Sequence, residues 1–188
     1  MLHHKLLRKE ARAYLLCQPI TVLDVGCVDA KILLEYSQGL RDRYLEQLTK
    51  LPWEEVVKSR GGSFDSLRDI FLHTVDAEDR LVNYVIPGRT EDWISQSPDE
   101  FRDIVSISKR AKEVELKTKA YVAKLNPPEL ERKVQMPRRG MPSTSVRVED
   151  VLVHAALENI HHFGELIALL WQIDVEPPHM GWIGYLQT

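Results

Sequence analysis

The segment VLVHAALENIHHFGELIALLWQ, residues 151–172, has the apolar rhythm of a long helix, yet it carries His154, Glu158, His161, His162 and Glu165. Positions four apart lie one above the other on a helix. His154, Glu158 and His162 follow that step, and so do His161 and Glu165. Two donors one turn apart can reach the same ion, as in the His-x-x-x-His pair of zinc proteases. A third donor is needed for a metal site. The natural one is His73, set among Ile70, Phe71, Leu72 and Val75 in another apolar-periodic segment. A lone histidine on an apolar face is more often a hydrogen-bonded core residue than a ligand. His73 together with an i, i+4 pair elsewhere is a joint pattern: if the two helices touch, His73 can meet Glu158 and His162, while His154 with Glu158 and His161 with Glu165 are the other metal-competent pairs. Glu165 and Asp76 are candidate proton handlers, weighed against the commoner solvated carboxylate. Gly164 costs a helix about 1 kcal/mol and is expected to permit a close helix approach beside the site.

Four long helical segments are expected to position these groups. The first spans residues 29–48, with Ile32, Leu33, Tyr36, Leu40, Tyr44 and Leu48 at three- and four-residue steps. Pro52 then breaks the pattern and Gly61-Gly62 punctuates a loop. The second spans residues 63–86, capped by Ser63 or Asp65 and stopped by Pro87-Gly88. The third starts at Ser97-Pro98-Asp99-Glu100, a strong start signal, and runs to Leu125. Its charged middle, SKRAKEVELKTK, reads as a solvated outer face. Residues 129–145 alternate valines and polar residues around Pro and Gly, a loop or a poor two-stranded ribbon. The RRGMP stretch within them reads as a solvated basic loop, with contact to an anionic ligand as the lesser reading. The fourth helix spans residues 148–173. Trp182 and Tyr185 of the tail are expected to pack back on the helices. Long helices joined by such loops predict an all-α fold, a four-helix bundle, whose core is where proteins of this class build metal sites.

Composition narrows the function classes. The chain has 188 residues, a net charge of −3 and two cysteines, Cys17 and Cys27. An acidic balance argues against non-specific nucleic-acid binding. No apolar run has the length of a membrane span. The first twenty residues are too broken by charge for a secretory signal. Two cysteines without C-x-x-C spacing read as reduced thiols, hence a cytoplasmic protein. The segment TVLDVG resembles the first motif of S-adenosylmethionine methyltransferases, but the further glycines and the strand–helix alternation are missing. Residues 1–28 are instead expected to form an N-terminal extension, with a short helix near residues 6–16 and an extended piece near 21–25. The bundle would occupy residues 29–188.

ENIHHFGELIALLWQ resembles the fourth-helix signature of the DinB-like (DinB/YfiT-like) metalloenzyme superfamily. This is the DNA-damage-inducible helical family, not the polymerase of the same name. In that family a helix-two histidine joins a His-x-x-x-His pair on helix four, whose second member opens an H-x-G-E or H-R-G-Q motif. HFGE, residues 162–165, matches that motif, and LHTVDAEDRLVNYVIPG places His73 at the helix-two position. The likeness covers about residues 29–172. Glu158 departs from the pattern, standing where the family has its first helix-four histidine. Glutamate still completes a His/His/Glu set of the kind found in catalytic zinc sites, and its harder oxygen favours manganese, iron or nickel more than a third imidazole would. The alternative is a decayed, empty site.

The resemblance implies an up-down-down-up bundle, a homodimer, a small-molecule substrate and a divalent zinc, nickel, manganese or iron ion. It also implies a low-molecular-weight thiol cofactor, because relatives include bacillithiol- and mycothiol-dependent S-transferases and isomerases. Two functions stay open: a metal-dependent transferase or hydrolase, and a non-catalytic helical stress-response or binding module with a vestigial site.

Overall fold

The computed structural model describes residues 29–187. The expected extension, its helix near 6–16, its extended piece near 21–25, the TVLDVG segment and the thiols of Cys17 and Cys27 lie outside the described residues. The described chain is mostly helical, with one two-stranded ribbon. No described helix is long and apolar enough to cross a membrane.

Helix α1, Ala30–Thr49, begins where the Asp29 carboxylate accepts from the Lys31 N–H, satisfying one of the free donors at a helix start. It buries Leu34, Tyr36, Leu40, Tyr44 and Leu48, whereas Ile32 is exposed. The buried face is therefore rotated from the expected stripe, and it also takes in Ser37, Gln38 and Arg41. Pro52 starts a short helix α2, Trp53–Val57. Positive φ angles at Gly61 and Gly62, 70° and 153°, then turn the chain.

Helix α3, Leu67–Arg80, starts later than expected. Its cap is Ser66, whose hydroxyl accepts from the Asp69 N–H at 3.2 Å. Ser63 and Asp65 do not cap it, because the loop uses them elsewhere: Ser63 donates to Glu165, and Asp65 accepts from Ser59 at 2.6 Å. At its far end α3 widens into a π-helical turn, Leu81–Val85.

The third segment divides in two. Ser97 caps as expected and forms a capping box with Glu100, but the box closes only a 3₁₀ turn, Pro98–Glu100. Phe101 then leaves the helical track and joins the core. A new cap, Asp103, accepts from the Ser106 N–H at 2.7 Å and starts α4, Ile104–Val122. The charged middle is not wholly an outer face. Arg110 turns inward to Asp76 and Asp79, and Glu115 and Thr118 are buried.

A short helix α5, Pro127–Glu131, precedes strands β1, Lys133–Arg138, and β2, Met141–Arg147. They pair antiparallel with an irregularity between Met136 and Arg138. Pro137 falls there, and proline has no N–H to give the ladder. Helix α6, Val148–Trp171, packs on α1 and α3, and α4 packs on α3. A final turn, α7, Trp182–Tyr185, sets both its rings near Tyr36, at centroid distances of 5.0 and 5.1 Å.

The interior has two apolar clusters. Tyr44, Phe71, Val114 and Phe163 belong to one; Leu34, Val82, Val122 and Leu152 belong to the other. Near the junction of the two, each long helix buries polar residues: Gln38 and Arg41 on α1, Glu78 on α3, Thr118 on α4 and Asn159 on α6. Glu78 accepts from Arg41 and from Gln38, each at 2.8 Å. The helices are thus crossed by a buried polar layer that no apolar periodicity reveals.

Candidate metal centre

Helices α3 and α6 bring His73, Glu158 and His162 together. His73 Nε2 and His162 Nε2 each lie 3.4 Å from the same oxygen, Oε1 of Glu158. One metal-ligand atom from each residue lies within 4.8 Å of the others. Contacts of 3.4 Å are long for N–H···O hydrogen bonds. They match the spacing of two donors on one tetrahedral ion, about 3.3–3.4 Å for bonds of about 2.0–2.1 Å. The donor set also suits a cation chemically. Glu165 Oε1 lies 3.1 Å from His162 Nδ1. A proton on Nδ1 satisfies that contact and leaves the Nε2 lone pair facing a carboxylate oxygen. Two acceptors facing each other need a cation or proton between them.

The surroundings fix these rings. Phe64, carried over the site by the Gly61-Gly62 loop, stacks on His73 with centroids 4.2 Å apart. It meets the His162 ring edge-on at 5.4 Å. Ser63 donates to the second oxygen of Glu165, so loop and helix brace the histidine through one carboxylate. Such carboxylate–histidine pairs orient metal ligands and set the tautomer. His162 is buried, with 7% of its side chain exposed, while His73 and Glu158 are each 31% exposed.

Burial is the main influence lowering the pKa of His73, outweighing the Glu158 contact that raises it. The neutral ring, the form that binds metals, is therefore favoured. Burial alone would raise the pKa of Glu158, but His73, His162 and His154 together hold it below the usual carboxylate range.

The remaining sequence candidates fall in different places. His154 is exposed and lines the neighbouring cavity without joining the three-residue group. His161 is 70% exposed on its side chain and lies 3.7 Å from Glu165. With His162 and Glu165 it forms a second group of ligand-competent atoms. Glu165 braces His162. Asp76 is held by Arg110 at 2.9 Å, yet burial keeps its pKa raised. Gly164 is exposed, and a Cβ there would meet nothing within 4 Å, so the expected close approach is absent among the described residues. Sequence reasoning missed Phe64 and Ser63. The signal for them was the Gly61-Gly62 turn immediately before them.

Comparison with known proteins agrees with this architecture. The DinB family model matches residues 27–188. A DinB-like protein from Bacillus subtilis is similar with a TM-score of 0.58 at 17% identity, over 79% of this chain and 96% of that one. A DinB-like protein from Bacillus cereus is similar with a TM-score of 0.51 at 15% identity, over 78% of this chain and 89% of that one. At such identities the likeness shows the fold alone. No curated protein matches the chain. With the family match spanning the helices that carry His73, Glu158 and His162, the chain belongs to the DinB family.

Proposed function

We propose that this protein is a metal-dependent enzyme acting on a small molecule, with His73, Glu158 and His162 holding one divalent ion. The observation that carries the reading is the convergence of both Nε2 atoms on Glu158 Oε1 at 3.4 Å. His73, Glu158 and His162 would hold the ion, and the chemistry it would supply there is acidification of a bound water or thiol at neutral pH. The protein's own part is positional. Glu165 fixes the tautomer of His162, Phe64 holds the His73 ring, and burial favours the neutral form of His73. The partly exposed edges of His73 and Glu158 leave a side open to a substrate. Transfer to or from a low-molecular-weight thiol and hydrolysis are the two reaction types proposed, with zinc, nickel, manganese or iron as the ion.

The same proposal takes the four long helices as an up-down-down-up bundle starting near residue 29, in a cytoplasmic homodimer. The exposed stripe Leu157, Gly164, Ala168 and Trp171 on α6 supports pairing. Sedimentation of native protein and of Trp171→Glu checks it, with a dimer expected only in the first.

One observation favours the second reading, a non-catalytic helical binding or stress-response module. His73 Nε2 can itself donate to Glu158, so part of the cluster is satisfied without an ion. Elemental analysis decides between the two readings. Protein purified without chelator or affinity-tag metal should hold near one metal per chain, and His162→Ala should hold none. No metal, and no uptake of zinc, manganese, nickel or iron, would overturn the enzyme reading in favour of the module.

A further inference from the structure

A cavity of about 190 Å³ opens beside the cluster, lined by His73, Arg80, Trp93, Met136, His154 and Glu158 among others. Two carboxylates line it, Asp76 and Glu158, and both are engaged, Glu158 by His73 and His162. The nearby carboxylates Asp76 and Asp79 are both taken by Arg110, at 2.9 and 2.8 Å. Arg80 is left without an ion pair or side-chain hydrogen bond among the described residues. Its guanidinium lies 5.6 Å from the centroid of the Trp93 ring. Stacking on an aromatic face holds the plane of the group and leaves its N–H edges free. The indole N–H of Trp93 is itself buried with no partner among the described residues. A buried donor without an acceptor is costly. The cavity therefore presents a spare positive charge, and one residue of its wall, Trp93, carries an unpartnered donor.

We propose that this cavity takes a small organic acid, its carboxylate paired with Arg80 and its other end lying at the His73–Glu158–His162 cluster. The volume, about 190 Å³, suits a short-chain acid. Arg80 follows His73 by two helical turns, about 10 Å along the axis, and helical side chains lean back toward the start of their helix. A ligand of a few carbons spans the remainder. The π-helical turn begins immediately after Arg80, and such widenings are often found at functional sites. The inference rests on the metal reading only for what the far end of the ligand meets.

The test uses butanoate and its neutral isostere butanamide on ¹⁵N-labelled protein, metal-free and zinc-loaded. The indole N–H resonance of Trp93, assigned with Trp93→Phe, is the readout. Butanoate should shift it saturably, with an affinity about tenfold or more above that of butanamide, as a charge-assisted pair requires. Arg80→Gln should bring butanoate down to the butanamide level on the same resonance; Trp93→Phe, which lacks that resonance, is titrated by calorimetry and should bind butanoate severalfold more weakly. Circular dichroism confirms that each variant is folded. Equal affinity for the two probes in native protein, or a preference that survives Arg80→Gln, would overturn the inference. Zinc content is measured on the same samples. A carboxylate preference without zinc uptake defeats the metal reading alone; full zinc uptake without the preference defeats this inference alone.

Discussion

Helices α3 and α6 carry two polar clusters side by side, and they are satisfied in opposite ways. Glu78 and Arg41 are 0% and 1% exposed on their side chains, and their ion pair is 2.8 Å long. Asn159 completes that layer, with its amide nitrogen 3.5 Å from both Glu78 and Ser37. On the neighbouring position of the same helix, Glu158 is 31% exposed and makes only 3.4 Å contacts. One cluster has its opposite charges paired inside the protein, with Arg41 Nε and Nη2 and Asn159 Oδ1 left buried without a hydrogen-bond partner among the described residues. The other has its donors converging on a common point and partly open to a ligand. Closed polar groups serve the interior and hold helices in register; open ones are available for chemistry. The cost structure follows. A buried charge left alone is expensive, whereas a half-exposed histidine can turn to water.

The largest test of this contrast is removal of one charge from the closed cluster. Arg41→Ala or Glu78→Ala should destabilise the metal-free protein by about 3–5 kcal/mol, because each strands a buried partner. Urea denaturation checks it. The double variant Arg41→Met/Glu78→Leu should recover most of that loss, as apolar replacements of buried pairs often do. A single variant within about 0.5 kcal/mol of native, the usual range for a surface change, would mean the layer is hydrated and the contrast false.

The open cluster should respond to metal instead. Zinc at a hundredfold excess over Kd should stabilise native protein by about 2.7 kcal/mol. His73→Ala and His162→Ala should lose this gain while keeping their helical circular dichroism. Stabilisation retained in either variant would remove that residue from the ligand set.

A smaller effect concerns the bracing of His162. Glu165→Gln should weaken zinc binding about 10–100-fold, as loss of an outer carboxylate partner does, with little change in metal-free stability. Unchanged affinity in a competition titration would mean that burial alone orients the ring.

The smallest effect is a pH slope. In the folded, metal-free protein the pKa of His73 lies below its ordinary 6.5. The unfolded chain therefore takes up its proton first as the pH falls. This stabilising contribution is complete above the unfolded value and is lost as the pH drops through the folded one. Thermal unfolding from pH 8 to pH 5 should show that decline, and His73→Asn should flatten it. An identical slope in the variant would place the titrating group elsewhere.

Where sequence reasoning succeeded and failed has one physical pattern. His73, Glu158 and His162 were legible because ligand types at helical spacing are rare on apolar faces. Arg41, Arg110 and Glu115 were not, because a charge on an amphipathic helix reads as solvent-facing until its partner is known. The partner of Arg41 is 37 residues away. The third segment was read as one helix because its start signal is sound; the turn it opens ends at Phe101, whose ring is drawn into the core.

The sequence by itself determined the four long helical segments, the weak ribbon at Pro137, the return of Trp182 and Tyr185, and the residue types able to bind a metal. These depend on periodicity, capping and turn chemistry, which act over a few residues. Only the tertiary structure decided which faces met. It set both imidazoles on one carboxylate oxygen, swung Phe64 and Ser63 over them, gave Asp76 to Arg110 and left Arg80 unpaired among the described residues. Such choices depend on helix rotation and on competition among distant charges. Neither is encoded in any single stretch of chain.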